Sequence, residues 1–164
     1  MKNNKFLTEK QLKTINSIAH SDKLHASLKK INKDYSNFDN FITDFEGYIN
    51  KKLITVKKNN YSTEDMIFDS IINRLELLNN YKKIAIRIFL ESQKNNRYFL
   101  VLSKFIYIYF SSKFSSYPEK AIVIPLYGLS FNVWIEDNDN LDKTMSFLGN
   151  SMNYIKKIKP FLGK

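Results

Sequence analysis

Tyr98-Phe-Leu-Val-Leu-Ser-Lys-Phe-Ile-Tyr-Ile-Tyr-Phe110 is the longest apolar stretch of the chain, interrupted only by Ser103 and Lys104. Its reading decides the fold class. Phe, Ile and Tyr suit a buried strand as well as a helix, and periodicity alone does not separate the two. Length does, because buried strands run to about eight residues and this stretch runs further. Wound as a helix, Phe99, Leu102, Phe105, Ile106, Tyr109 and Phe110 cover a very wide arc, which predicts a helix largely surrounded by protein. The stretch falls short of the roughly 20 apolar residues that cross a bilayer.

The flanks carry helical signals too. Asn95-Asn96 and Asn79-Asn80 break the pattern on one side, and between them Ile84, Ala85, Ile88 and Phe89 keep helical spacing. Ser62-Thr-Glu-Asp65 starts the helix before that, with acids at its positive end and a stripe of Ile67, Ile71, Leu75 and Leu78. Thr8 with Gln11 reads as a capping box ahead of Leu12, Ile15 and Ile18. Ser21 can cap a second helix through Leu24, Leu28 and Ile31. Ser36 with Asp39 starts a third through Phe38, Phe41, Ile42 and Phe45, and a fourth follows through Tyr48, Ile49, Leu53 and Val56. On the other flank, Pro118 suits a first turn of a helix with Ile122, Leu126, Leu129, Val133 and Trp134, kinked at Pro125. Asp139-Asn-Leu-Asp142 starts the last, through Met145, Leu148, Met152 and Ile155 to a stop near Pro160. The sum is an all-α chain of about nine helices, with a small N-terminal three-helix unit and its connecting helix over 1–58 and a larger helical bundle over 59–164.

The 164 residues fit one domain and can bury a core without staples. The chain has no cysteine, which excludes disulfides and thiolate chemistry. The formal charge is +10, from 26 basic and 16 acidic residues. Only Arg74, Arg87 and Arg97 are arginines, while 23 lysines, 19 asparagines and 19 isoleucines point to AT-rich coding. Part of the positive charge is therefore compositional. The first ten residues hold neither an apolar segment nor an Arg-rich presequence, so the expectation is a cytoplasmic protein, with peripheral contact on the inner membrane left open.

Catalytic and metal signals are scarce. His20 and His25 are five apart, about 140° around a helix, and do not share a face. No phosphate loop, nucleophile elbow or His-Glu-x-x-His is present, nor the Glu-x-x-His of a di-iron bundle. Glu136, Asp137, Asp139 and Asp142 read as a helix cap with a solvated face, the alternative being a cation site. An enzyme is the least supported class, and no metal or cofactor is implied.

Three features could bind something. Ile84, Ile88, Leu102, Phe105, Ile106, Tyr109, Ile122, Leu126, Tyr127 and Phe131, from three successive helices, form either a filled core or the wall of an apolar ligand cavity. Lys29, Lys30 and Lys33 beside Tyr35 could meet phosphates if the first helices were a helix-turn-helix. That segment lacks the usual turn glycine, has Asp39 and Asp44 on the next helix, and has no arginine to read guanine, so nucleic acid is not favoured. Finally, Lys156, Lys157, Phe161 and Leu162 in the tail could touch an anionic bilayer.

Three short helices followed by longer ones resemble the TetR-type regulators. Within that superfamily the chain resembles the ubiquinone-biosynthesis auxiliary proteins, the TetR-like lipid binders. The likeness covers about residues 65–158. It rests on Arg74-Leu75-Glu76, then Lys82-Lys83-Ile84-Ala85-Ile86-Arg87, then Asn95-Asn96, and on Trp134-Ile-Glu-Asp-Asn-Asp-Asn140, Thr144 and Phe147-Leu148, with Ser151 where the family has arginine. The resemblance implies a non-enzymatic protein that binds an isoprenoid or other quinone-precursor lipid and presents it to a quinone-pathway hydroxylase. It also implies a homodimer, with the partner or dimer surface around Trp134, Thr144, Phe147 and Leu148. The alternative is a TetR-type transcriptional regulator that binds DNA and a small apolar effector.

Overall fold

A computed structural model gives the fold, describing residues 7–54 and 62–162, with side chains as far as Lys157. Among these residues every regular element is helical, in eight α-helices and one short 3-10 turn. They are α1 (Glu9–Ile18), α2 (Leu24–Ile31), the 3-10 turn Lys33–Ser36, α3 (Phe38–Ile54), α4 (Thr63–Asn79), α5 (Lys82–Lys94), α6 (Asn96–Lys113), α7 (Tyr117–Ile135) and α8 (Asp142–Leu162). The decisive stretch is thus helix, not strand. The third and fourth expected helices are one, because between Phe45 and Tyr48 the chain has only Glu46 and Gly47, neither of which stops a helix. Val56, expected to close the fourth, lies outside the described residues. The last helix runs past Pro160 to Leu162.

Several helix starts follow local chemistry. The Thr8 hydroxyl accepts from the Gln11 amide at 3.3 Å while Gln11 Oε1 accepts from the Thr8 amide at 2.9 Å, satisfying two free donors of α1. Ser116 and Glu119 repeat the box at α7, both bonds at 3.3 Å, with Pro118 in the first turn. Ser62 Oγ accepts from the Asp65 amide at 3.2 Å and donates to its carboxylate at 2.6 Å. Helix α5 is capped from a distance: its Ile84 amide donates to Asn16 Oδ1 on α1 at 3.2 Å.

The chain forms two compact units. One takes in Met1–Val56 and Leu77–Tyr109, the other Lys57–Glu76 and Phe110–Lys164, so α4 and α6 each contribute to both. In the first unit, buried Leu12, Ile15, Leu24, Leu28, Ile84 and Ile88 pack with an aromatic file on α3. Phe38, Phe41 and Phe45 succeed one another at centroid distances of 5.6 and 6.2 Å. The Tyr35 ring meets Phe41 at 5.5 Å, and its hydroxyl donates to Asp44 at 2.8 Å. In the second unit, Ile67, Ile71 and Leu75 of α4 are buried, as are Val123, Leu126 and Phe131 of α7 and Leu148 and Met152 of α8. The rings of Phe110, Tyr127, Phe131 and Trp134 form a chain with steps of 5.3, 6.0 and 5.0 Å.

Trp134 is the only tryptophan and is fully buried. Its emission is therefore expected blue of solvated indole and should move to the red on unfolding, which makes it a reporter for the second unit. Emission at the solvated position in the native state would contradict the packing of α7.

Candidate functional site

Six of the ten residues considered for an apolar wall belong to the first unit and four to the second. Ile84, Ile88 and Tyr109 are buried, whereas Leu102, Phe105 and Ile106 are half-buried on α6. Leu126, Tyr127 and Phe131 are buried on α7, with Ile122 half-buried. The gap in the first unit between Ile15, Leu24, Phe38, Phe41, Ile84 and Arg87 is too narrow to admit a water molecule, whereas small-molecule pockets usually hold about 300–1,000 Å³, so it has no room for an isoprenoid chain.

Polar groups inside the helices position them. On α3, buried Asp39, Glu46 and Asn50 fall at helical spacing on one stripe. Asp39 pairs with Arg97 of α6, and Asn50 Nδ2 donates to the Phe105 carbonyl of α6 at 2.9 Å. These contacts fix which side of α6 turns towards α3. In the second unit, Arg74 is fully buried, its Nε donates to the Tyr127 hydroxyl at 3.1 Å, and its guanidinium lies 5.5 Å from that ring's centroid.

Asp137 is the hub of the acidic turn. Its carboxylate accepts from the Thr144 amide at 2.6 Å, the Thr144 hydroxyl at 2.7 Å, the Lys143 amide at 3.3 Å and the Asn138 amide at 2.8 Å. Burial alone would raise its pKa, but the four donors favour the charged form and hold the carboxyl below its ordinary value. The cluster is a helix cap for α8, and among the described residues no group of acids and histidines could hold a metal ion.

Two tyrosines are shifted the other way. Burial, then the hydrogen bond to Asp44 and its charge, pushes the Tyr35 hydroxyl well above the ordinary phenol range. Burial and the Tyr48 hydroxyl, 3.2 Å away, do the same to Tyr81. A folded-state pKa above the unfolded one means that the stabilisation is complete below about pH 10 and is lost as pH rises beyond it. Alkaline titration of phenol absorbance should find at least two of the ten tyrosines ionising late, and Tyr35→Phe should remove one of them at a cost of about 1 kcal/mol. A single transition near pH 10 for all ten would contradict this.

The other sequence-level candidates distribute as follows. Trp134, Thr144 and Leu148 are buried and Phe147 is half-buried, so three of these four side chains serve the interior of the second unit. Lys156 and Lys157 are exposed on α8, while the side chains of Phe161 and Leu162 lie outside the described residues. Lys29, Lys30 and Lys33 are exposed, but Tyr35 is buried. Helix α3, which would have to read bases, buries nine of its seventeen residues.

One surface was not singled out by sequence reasoning. Helix α6 is not surrounded: Phe99 is 55% exposed, Leu100 66%, Tyr107 53% and Ile108 41%. At 3.6 residues per turn these four, with Ser103 and Lys104, share about half the circumference over roughly 14 Å of helix. The signal was present in the stretch that opened the reading. Its residues are apolar all round, and a core contacted from one side can take only half of them. The same helix lies in the longest acid-free run of the chain, residues 92–118, which carries Lys94, Arg97, Lys104 and Lys113. None of the described helices is long and apolar enough to cross a membrane. Comparison with protein-family models, with curated proteins and with solved structures finds no match for this chain.

Proposed function

We propose that the protein is a non-enzymatic lipid-binding protein whose apolar ligand meets it on the outer face of α6. The observation that carries the reading is the exposure of Phe99, Leu100, Tyr107 and Ile108 on one helix face. Single exposed apolar residues are ordinary, whereas a contiguous apolar patch marks a binding surface. Fully covering a Leu, Ile or Phe side chain contributes about 1.5–3 kcal/mol, so four together can hold an apolar guest without an interior cavity. The resemblance to the quinone-biosynthesis auxiliary proteins supplies the ligand class, an isoprenoid quinone precursor. The absence of a metal-binding acid or histidine cluster among the described residues gives no support to a metal-dependent activity.

A polyprenylated phenol, offered in dilute solution and measured by native mass spectrometry, tests the reading. Wild-type protein should carry it. Leu100→Ser with Ile108→Ser should lose about 3 kcal/mol, or roughly a hundredfold in affinity, with the helical fold kept and the melting temperature lowered by only a few degrees, because neither side chain is buried. No uptake by the wild type, or equal uptake by the double variant, would rule out this face as the site.

A further inference from the structure

Resting on that reading of α6, we propose that its outer face prefers an apolar chain that ends in a single carboxylate, and that Lys104 is the residue that makes the choice. The cations of α6 are not equivalent. Arg97 is already answered by the carboxylate of Asp39 on α3, so its charge is compensated within the fold. Lys104 is exposed in the middle of the patch. Its neighbours three and four residues away are Leu100, Val101, Tyr107 and Ile108, none of them an acid. Among the described residues no ion pair or hydrogen bond engages its ammonium. At 1.5 Å per residue, Leu100 and Ile108 lie about 6 Å to either side of it along the helix. One uncompensated positive charge is thus set among the uncharged, exposed side chains of Phe99, Leu100, Tyr107 and Ile108.

That arrangement discriminates between head groups on the same chain. An uncharged chain laid over Leu100 and Ile108 crosses the lysine and takes water from its ammonium, and drying a charge without giving it a partner is unfavourable. The four-carbon stem lets the ammonium turn to the rim of the patch, so the loss is small and the uncharged chain still binds. A carboxylate at that rim returns a charge-assisted hydrogen bond, while its chain covers the apolar side chains as the uncharged one does. The single ammonium matches a single negative charge. Selection between ligands therefore falls to Lys104, and affinity common to both falls to the four apolar side chains.

Equilibrium dialysis with two isoprenoids of identical chain, geranylgeranoic acid and geranylgeraniol, is the test, with both kept below the concentration at which they aggregate. At neutral pH the wild type should bind the acid about fivefold more tightly than the alcohol, the upper end of what an ion pair at a surface supplies, and the preference should shrink at high salt. Lys104→Met should bring the two ligands to equal affinity while binding the alcohol at least as well as the wild type does. Lys10→Met, which removes an exposed lysine of α1, should leave the preference intact, and both variants should keep wild-type helicity. Equal binding of acid and alcohol by the wild type, or a preference that survives Lys104→Met, overturns the proposal. So does a preference that Lys10→Met removes as completely, since the overall charge of the protein would then be its source. If the alcohol and the polyprenylated phenol bind but the acid gains nothing, only the role of Lys104 falls; if none of the three binds, the α6 site falls with it.

Discussion

Arg74→Ala should unfold the second unit more readily than any surface change, by about 3–5 kcal/mol. The side chain is fully buried on α4, with Nε committed to Tyr127 on α7 and the guanidinium over the same ring. Removal leaves a large cavity, and large-to-small changes in cores cost about 2–5 kcal/mol depending on how far the site collapses. It also strands polar groups that the guanidinium now satisfies. Native stability is typically about 5–15 kcal/mol, so a loss of this size moves the melting temperature by roughly 10 °C in a chain of this length. The controls separate packing from charge. Arg74→Lys keeps the charge but loses the planar fork that stacks and donates together, and should recover less than half. Arg74→Met restores most of the volume, and a well-packed apolar replacement of a buried ion can approach neutrality. Tyr127→Phe alone should cost about 1 kcal/mol, and the double change with Arg74→Met should cost less than the two single changes together, because the pair is one interaction. Urea unfolding followed by Trp134 emission reads all of them. A loss below about 1 kcal/mol for Arg74→Ala would mean that the guanidinium is not buried as described.

That arginine shows how far the sequence could be read. Arg74-Leu75-Glu76 stood out as a motif through resemblance, but the residue type argued against burial. It occupies a position on the same side of α4 as Ile67, Ile71 and Leu75, where periodicity alone expects an apolar residue. Helix capping divides in the same way. Thr8 with Gln11 and Ser62 with Asp65 are three residues apart and legible, because the partners are fixed by the chain itself. Asn16 capping α5 from 68 residues away depends on how α1 and α5 pack, which a single sequence does not specify.

The direction of α6 was legible in part: the stripe Leu102, Phe105, Ile106, Tyr109 and Phe110, opposite Lys104, marks the inward half. The exposed half was masked because apolar Leu100, Tyr107 and Ile108 surround Lys104 there. The choice is made by groups elsewhere in the chain. Asn50 donates to the Phe105 carbonyl, Asp39 reaches Arg97, and Phe38 meets Tyr98 at 5.4 Å. Once these fix the inward side, Leu100, Tyr107 and Ile108 are left outside. The binding reading therefore hangs on a polar stripe of α3 whose residues would never be chosen as functional. Changes at Asp39 or Asn50 would alter the outer surface of α6 indirectly, through its rotation.

Asp137 is the other position where one side chain decides a local structure, and here pH provides the handle. Its carboxylate ties both ends of the turn between α7 and α8, from the Asn138 amide to the Lys143 and Thr144 amides and the Thr144 hydroxyl. Between them Leu141 is buried with φ at 62°, a left-handed conformation that costs a side-chain-bearing residue about 1–3 kcal/mol. The carboxylate bonds on either side and the burial of the Leu141 side chain offset that strain. Asp137→Ala strips the cap and leaves buried donors unsatisfied, for an expected loss of about 2–4 kcal/mol at neutral pH. Asp137→Asn keeps one carbonyl acceptor and should lose about half as much. Burial of Asp137 works against the charged form, yet its donors prevail and its pKa lies below the unfolded value. The native state then binds fewer protons than the unfolded one in the acid range. Its stabilisation is complete above the unfolded pKa of about 3.9 and is lost as pH falls through the folded value. Urea midpoints of wild type and Asp137→Asn should therefore differ most at pH 7, remain apart at pH 5 and converge as pH drops below about 3.9. A difference that stayed constant down to pH 2, or grew there, would mean that the carboxylate is not what holds α8 to its turn.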